Sequence, residues 1–403
     1  MTRARPTLYH ARPVRILLVS WEYPPLVVGG MAPHVEGLAT SYARAGHDVV
    51  VFTRSHPDVP GDSVVDGVRV LRVELNYPWI PEEQLITAAA SANHQLVQLL
   101  GRLGDWRPDV VHAHDWLVAW AGDTLRSLTG APLVATIHAT ERGRHQGHLT
   151  NRMSHGIEAV EWWLTYQALQ VIACSQFMVD EVVNAFSLPR SKIHMVPNGV
   201  DPAAWRPVGP ITPSPTPLVV SWGRLQYEKG FHTLIGAAAR LRDRLPGLRV
   251  SIIGRGTYAA DLQRLAADRH ATDVVHFEGF VTDADLKAML HRCTCAVIPS
   301  LYEPFGIVAL EALAADAPLV AAASGGLAEV LGGTQAGLLF PPGDEAALAE
   351  AIYRMATDPG LRQASREAAD ELVDTRYAWD TIAEQTIEIY RIAQNLADPR
   401  PVL

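Results

Sequence analysis

Two glutamates eight residues apart restrict the chemistry of this chain most. They lie in Ser300-Leu-Tyr-Glu303-Pro-Phe-Gly306-Ile-Val-Ala-Leu-Glu311. Pro299 is expected to end a strand, and Pro304 to sit in the first turn of a helix, where its missing N–H is tolerated. On that reading the two carboxylates stand roughly 12 Å apart along the helix axis. Carboxylate pairs that cleave a glycosidic bond lie about 5–9.5 Å apart, so this pair does not flank a single bond. It suits the two ends of one long ligand, such as a sugar and a ribose joined by a diphosphate. Between them the N–H groups of Phe305, Gly306 and Ile307 open the helix and can hold phosphate or sugar hydroxyls. The bland alternative is one glutamate on a helix dipole and one on the surface.

A diphosphate needs cations. Arg224 and Lys229, in Trp222-Gly-Arg-Leu-Gln-Tyr-Glu-Lys-Gly230, follow an apolar strand directly. Arginine can fork two phosphate oxygens, and lysine adds a mobile point charge. Of 34 basic residues only Lys192, Lys229 and Lys287 are lysine, which singles Lys229 out. The alternative is a surface pair between Lys229 and Glu228, worth little.

Other candidates sit at strand ends or loops. Gly29-Gly30 precede a helix, where paired glycines let backbone approach a phosphate. A nicotinamide site is excluded there: the chain has no G-x-G-x-x-G after its first strand, and the second strand ends in Thr53-Arg54 instead of an acid. His112-Ala-His114-Asp115-Trp116 ends another strand. Two histidines and a carboxylate could hold a metal, but no further ligand closes the site, and no metal is expected. Asp115 and Trp116 instead offer a hydroxyl acceptor and an aromatic face to a sugar. His138 follows the next strand, as a site residue or a structural histidine. Gly325-Gly326 open a short helix that could face Gly29-Gly30, and Gly254-Arg-Gly256 reads as a tight strand-to-helix turn.

These residues need a scaffold that lines up strand ends. Apolar runs recur at Arg15–Val19, Asp48–Phe52, Val68–Leu71, Asp109–His112, Leu133–Ile137 and Gln170–Ala173. They recur again at Leu218–Ser221, Val250–Ile253, Val274–Phe277, Ala296–Pro299, Leu319–Ala321 and Leu338–Phe340. Helical patterns lie between most of them, as at Pro33–Ala45 and Ala88–Leu103. Near-continuous apolar strands alternating with helices imply an α/β chain with parallel sheets covered on both faces. Between the halves, residues 207–217 (PVGPITPSPTP) hold five prolines and read as a linker. The expected organisation is a loose tail at 1–13, a first Rossmann-like domain at 14–206, the linker, a second at 218–376, and a last helical segment at 377–403 that could return to the first domain. Ligands of doubly wound sheets bind at strand carboxyl ends, so a cleft between two such domains is the expected site.

Composition excludes other classes. The 403 residues carry a net charge of −9, which argues against a nucleic-acid partner. No apolar run reaches transmembrane length, and residues 1–13 lack the apolar segment of a signal peptide. The three cysteines, Cys174, Cys293 and Cys295, read as packed thiols of a reduced, cytoplasmic protein.

Together these pieces resemble the retaining glycosyltransferases of family 4, with the GT-B fold of two Rossmann-like domains facing across a cleft. The resemblance runs from about Val14 to Ile389. Glu303 to Glu311 with its Pro-Phe-Gly carries it most specifically, supported by the Arg224–Lys229 spacing and the early Gly29-Gly30 loop. Within that family, Trp21-Glu-Tyr-Pro-Pro25 with Gly29-Gly30, His112 to Trp116, and Thr136-Ile-His-Ala-Thr140 look like the glycogen synthase branch. They look closer still to actinobacterial α-1,4-glucosyltransferases of glycogen or methylglucose lipopolysaccharide synthesis. One departure is Val27, where bacterial glycogen synthases carry lysine.

The resemblance implies transfer of glucose from UDP- or ADP-glucose to an α-1,4-glucan or related oligosaccharide, with retention and without a cofactor. Arg224 and Lys229 would neutralise the leaving diphosphate. Glu303 would hold donor-sugar hydroxyls and Glu311 the ribose, with Phe305, Gly306 and Ile307 presenting amides. His138 would meet the sugar near its 6-hydroxyl and the reacting centre, and Asp115 and Trp116 the acceptor. The alternatives on this scaffold are a mannosyl- or N-acetylglucosaminyl-transferase to inositol or a lipid, and a nucleotide-sugar 2-epimerase.

Overall fold

A computed structural model describes residues 12–397 apart from 76, 78, 82 and 83. Most of the expected tail, residues 1–11, and the last residues, 398–403, lie outside the described ones. The chain forms two compact units. The first comprises 1–136 with 166–170 and 388–403; the second comprises 137–165 with 171–387.

The first unit holds β1 (Arg15–Ser20), β2 (Asp48–Arg54), β3 (Asp62–Val65), β4 (Val68–Val73), β5 (Val110–His114) and β6 (Leu133–Ile137). Their order is β3-β4-β2-β1-β5-β6. All pair in parallel except β3, which forms a hairpin with β4. Ile16 to Val19 are fully buried, as strands covered on both faces require.

The second unit holds β7 (Gln170–Ala173), paired in parallel with β8 (Ile193–Met195). It also holds a six-stranded sheet of β9 (Leu218–Trp222), β10 (Arg249–Ile253), β11 (Val275–Gly279), β12 (Cys295–Ile298), β13 (Leu319–Ala322) and β14 (Gly337–Phe340). The order is β11-β10-β9-β12-β13-β14, all parallel. The chain leaves β9 toward β10 on one side and returns as β12 on the other. The carboxyl ends of β9 and β12 therefore flank the crevice where such sheets bind ligands.

Every expected strand is present. The sequence reading missed β3 and β8. One is a four-residue, solvent-exposed edge strand with only two apolar residues and the other has three residues, so neither forms a sustained apolar run. The expected helices appear as Met31–Arg44 and Leu85–Gln98, the latter prolonged by a 3-10 turn. Residues 207–217 form no helix or strand. The final helix, Trp379–Ala397, ends within the first unit. There the Tyr390 hydroxyl meets the Tyr42 hydroxyl at 3.1 Å and His112 Nδ1 at 2.7 Å. All three cysteines are buried. Among the described residues no helix is long and apolar enough to cross a membrane.

Candidate active site

The loop after β9 is pressed onto the loop after β12. Gly230 makes this approach possible. Its φ is 68°, and a Cβ there would lie 1.9 Å from the Pro299 carbonyl oxygen. The Glu228 carbonyl accepts from the N–H groups of Leu301 and Tyr302 at 2.8 and 3.3 Å, which locks the two loops. Lys229 Nζ is thereby held 2.7 Å from Glu303 Oε2, to which Ser300 Oγ also donates at 3.1 Å. The lysine pairs with Glu303 and not with its neighbour Glu228. Trp222, Lys229, Ser300, Glu303 and Val308 line a notch of about 30 Å³, about one water's share of volume. Arg224 is exposed and makes no ion pair or side-chain hydrogen bond among the described residues. An exposed, unpaired guanidinium two residues past a parallel strand is well placed for an anion.

The Glu303–Glu311 segment corrects one expectation. The helix begins at Ile307, not at Pro304. Gly306 has a φ of 97°, and a Cβ there would stand 2.5 Å from Leu327 Cδ2. A left-handed residue cannot continue a right-handed helix, so Glu303, Pro304 and Phe305 form a loop ahead of it. The 12 Å helical separation therefore does not apply. That loop is fixed by its own bonds: Ser175 Oγ donates to the Pro304 carbonyl at 2.6 Å, and the Gly326 N–H to the Glu303 carbonyl at 2.9 Å. Gly325-Gly326 thus serve to pack against this loop. Phe305 is buried edge-on against Tyr377, with ring centroids 5.9 Å apart. Ile307 is the first helical residue, and its N–H and that of Val308 have no partner inside the helix.

Glu311, one turn into the helix, accepts from Trp222 Nε1 at 3.1 Å. Burial pushes its carboxyl up to about 7, against the pull of the Trp222 bond. His138 is half-buried, and desolvation, helped by the Arg144 cation, pushes its pKa down to about 3. It is therefore a neutral imidazole across the physiological range. Trp222 and Ser300, which sequence reasoning quoted but did not assign, bond the two candidate glutamates. A strand-end aromatic and a hydroxyl two residues past a strand carry no signal of their partners.

The second unit thus brings together Lys229, Glu303 and Ser300, joins Glu311 to Trp222 at the end of β9, and leaves Arg224 exposed two residues past that strand. Gly29, Gly30, Asp115 and Trp116 belong to the first unit. There Glu22 Oε2 accepts from the N–H groups of Val28 at 2.5 Å and Gly29 at 3.1 Å, a buried carboxylate in the amide cradle that the sequence reading did not foresee. A Cβ on Gly29 would meet nothing within 4 Å, and Gly30 has an ordinary φ of −70°. The protein's own packing therefore does not require glycine at position 29. Asp115 has a φ of 64° and donates its N–H to the Thr136 carbonyl at 2.9 Å. Asp115 and Trp116 are 3 and 8 % exposed, so only their edges reach solvent. His112 Nε2 lies 2.7 Å from Thr136 Oγ1 and its Nδ1 meets Tyr390. With both ring nitrogens occupied, His112 is a structural histidine.

Residues 28–204 match the family described as Glycosyltransferase Family 4, and residues 209–372 match Glycosyl transferases group 1. The chain is 40 % identical to the glycogen synthase of Mycobacterium tuberculosis, over 94 % of this chain and 95 % of that protein. It is 32 % identical to the D-inositol 3-phosphate glycosyltransferase of Pseudarthrobacter chlorophenolicus, over 91 % and 90 %. Among solved structures, sucrose-phosphate synthase from Thermosynechococcus elongatus superposes with a TM-score of 0.79 at 26 % identity, covering 94 % of this chain and 98 % of that one.

Proposed function

This chain belongs to the family-4 glycosyltransferases of GT-B fold, and from that premise we propose that it transfers glucose, with retention, from UDP- or ADP-glucose to an α-1,4-glucan or related oligosaccharide. The observation that carries this reading is the Lys229–Glu303 pair in the loops that follow β9 and β12, with an exposed Arg224 two residues past β9. On this reading the lysine supplies positive charge to a departing diphosphate and the carboxylate serves sugar hydroxyls. The 40 % identity to a protein named glycogen synthase supports the choice of glucose and glucan.

In this mechanism the donor's C1–O bond breaks as Arg224 and Lys229 take up the charge growing on the diphosphate. Groups already oriented in a water-poor site stabilise such charge best. The amides of Ile307 and Val308 add a helix N-terminus to the same task. The acceptor hydroxyl attacks C1 from the face the diphosphate leaves, and its proton passes to a departing phosphate oxygen. Glu303 is engaged by Lys229 and Ser300 and acts on hydroxyls, not as a nucleophile. Neutral His138 exchanges hydrogen bonds with the donor sugar without adding charge. The two cations do the work that a metal would otherwise do.

Glu311 gives this reading a pH signature. Its carboxyl has a pKa of about 7 in the free protein, and the charged form accepts ribose hydroxyls best. Donor KM should therefore fall as pH rises from 6 to 8. Glu311→Gln should remove that trend and raise KM at pH 8 more than it lowers kcat. A pH-independent KM in the wild type would refute the ribose contact. The stability signature has the opposite sense. The folded pKa is raised above the unfolded one, so the native state binds more protons between about 4.5 and 7, and stability falls as pH rises through that window. Glu311→Gln should thus raise Tm at pH 8 and leave it little changed at pH 4.

The glycine loop gives a second check. Gly29→Ala should leave Tm within a degree or two, because nothing lies within 4 Å of the new methyl. Donor KM should still rise several-fold. Unchanged KM would place the donor elsewhere.

The deciding assay offers UDP-, ADP- and GDP-sugars with maltooligosaccharides, with inositol phosphate, and with no acceptor. Nucleotide release and the anomeric configuration of the product are recorded. Extension of an α-glucan by UDP- or ADP-glucose supports the proposal. Transfer only to inositol phosphate would replace it by the reading that the 32 % identical relative suggests. Conversion of the nucleotide-sugar without acceptor would indicate an epimerase.

A further inference from the structure

An open surface depression of about 600 Å³ lies over the helix Gln176–Phe186 in the second unit. Phe177, Asp180, Glu181 and Asn184 line it, and their i, i+3, i+4, i+7 spacing puts them on one helical face. Arg142, from the short helix Glu141–Arg144, completes the wall. None of these residues has a part in the donor chemistry above.

Each polar group there keeps unused hydrogen-bonding capacity. Glu181 Oε1 accepts from Thr140 Oγ1 at 2.5 Å and from the Tyr302 hydroxyl at 2.9 Å, while Oε2 has no partner among the described residues. The Asn184 side chain is exposed and makes no hydrogen bond among them. Asp180 Oδ1 takes Arg190 and Gln176 and leaves Oδ2 open. Arg142 gives Nε to Glu158 at 2.5 Å and Nη1 to the Gly147 carbonyl at 3.3 Å, keeping Nη2. Phe177 is half-buried and contributes aromatic surface.

This chemistry selects its ligand. Asp180 is paired with Arg190 and Arg142 with Glu158, and Glu181 accepts from two hydroxyls, so the lining holds no excess positive charge to recruit a phosphate or other anion. Open donors and acceptors around an aromatic ring suit a neutral polyol, whose hydroxyls take the hydrogen bonds while its C–H face covers the ring. The face is also tied to the catalytic loop. Glu181 bonds Tyr302, the residue before Glu303, and the Glu329 carboxylate holds the N–H groups of Gln176 and Phe177 at 2.8 and 2.7 Å.

We propose that this face of the 176–186 helix is a second glucan-binding site, separate from the Lys229–Glu303 site, which holds a maltooligosaccharide segment of a long acceptor. It rests on the glucan reading above and extends it.

The test is affinity electrophoresis of the full chain in gels with and without glycogen, comparing wild type with Asn184→Arg, which projects a long cationic side chain across this face, and Asn184→Ala, which only removes an amide. The wild type should be retarded. The glycogen dissociation constant should rise about tenfold in Asn184→Arg, equivalent to about 1.4 kcal/mol, and by a smaller factor in Asn184→Ala. KM for glycogen should rise by a larger factor than KM for maltotriose in both variants. Equal retardation of all three proteins overturns the site, as does a wild type that glycogen does not retard. If maltotriose is extended while retardation ignores Asn184, the site falls and the transfer reading stands. If retardation depends on Asn184 but no glucan is extended, the transfer reading falls and the site stands.

Discussion

Lys229→Ala should lower kcat about 10²- to 10³-fold, the usual loss when one preorganised donor is removed from a developing anion, about 2.7–4 kcal/mol. The charge it meets grows as the diphosphate departs, so donor KM should change much less than kcat. The variant also strips Glu303 of its partner at 2.7 Å, and Glu303 is only 8 % exposed. A buried carboxylate stripped of its partner costs about 3–5 kcal/mol of stability, so a drop in Tm would accompany the loss of activity. The two effects separate in Lys229→Ala with Glu303→Gln, where the stranded charge is gone. That double variant should recover most of the Tm and none of the kcat. Lys229→Arg should recover only part, because a planar fork does not reproduce a point charge on one carboxylate oxygen. A single variant that folds and turns over within threefold of wild type would remove Lys229 from the chemistry.

How the cations and carboxylates come together shows what a sequence can and cannot reveal. The parallel strands were legible because strands covered on both faces must be apolar throughout. That fixed β9 and β12, and with them the places of Arg224 and Glu303. The persistence of Lys229 in an arginine-rich chain was legible for a similar reason, since composition sets the background against which one residue stands out. The start of the Ile307–Ala314 helix was not legible. Pro304 is well suited to a first helical turn, and nothing local outranks it. The helix is delayed by the left-handed Gly306, which lies against Leu327, twenty-one residues away in sequence. Glu22 was hidden for the same kind of reason, since its place under the Val28 and Gly29 amides is set by the path of a loop. The polar face of the 176–186 helix reads in sequence as an ordinary solvated surface, and becomes distinctive only when a depression is seen above it.

Gly306→Ala should reduce kcat/KM about 100-fold or more, although the residue supplies no side chain to the reaction. Two penalties act on it. Holding alanine at a φ of 97° costs about 1–2 kcal/mol, and its Cβ would press on Leu327 Cδ2 at 2.5 Å. The backbone can relieve both by turning toward an ordinary helical φ, which extends the helix backwards into Pro304 and Phe305. That movement breaks the bonds from Ser175 Oγ and the Gly326 N–H, which fix this loop at 2.6 and 2.9 Å. Glu303 then leaves Lys229, and a misplacement of about 1 Å suffices for a roughly 100-fold loss. Leu327→Ala in the same background distinguishes the penalties, because it makes room for the methyl without changing the φ requirement. If crowding dominates, the pair should regain activity even though the Leu327 cavity lowers Tm. If the left-handed backbone dominates, activity stays low. Normal activity in the single variant would mean that the loop tolerates either conformation, and that Glu303 is positioned by the Lys229 ion pair alone.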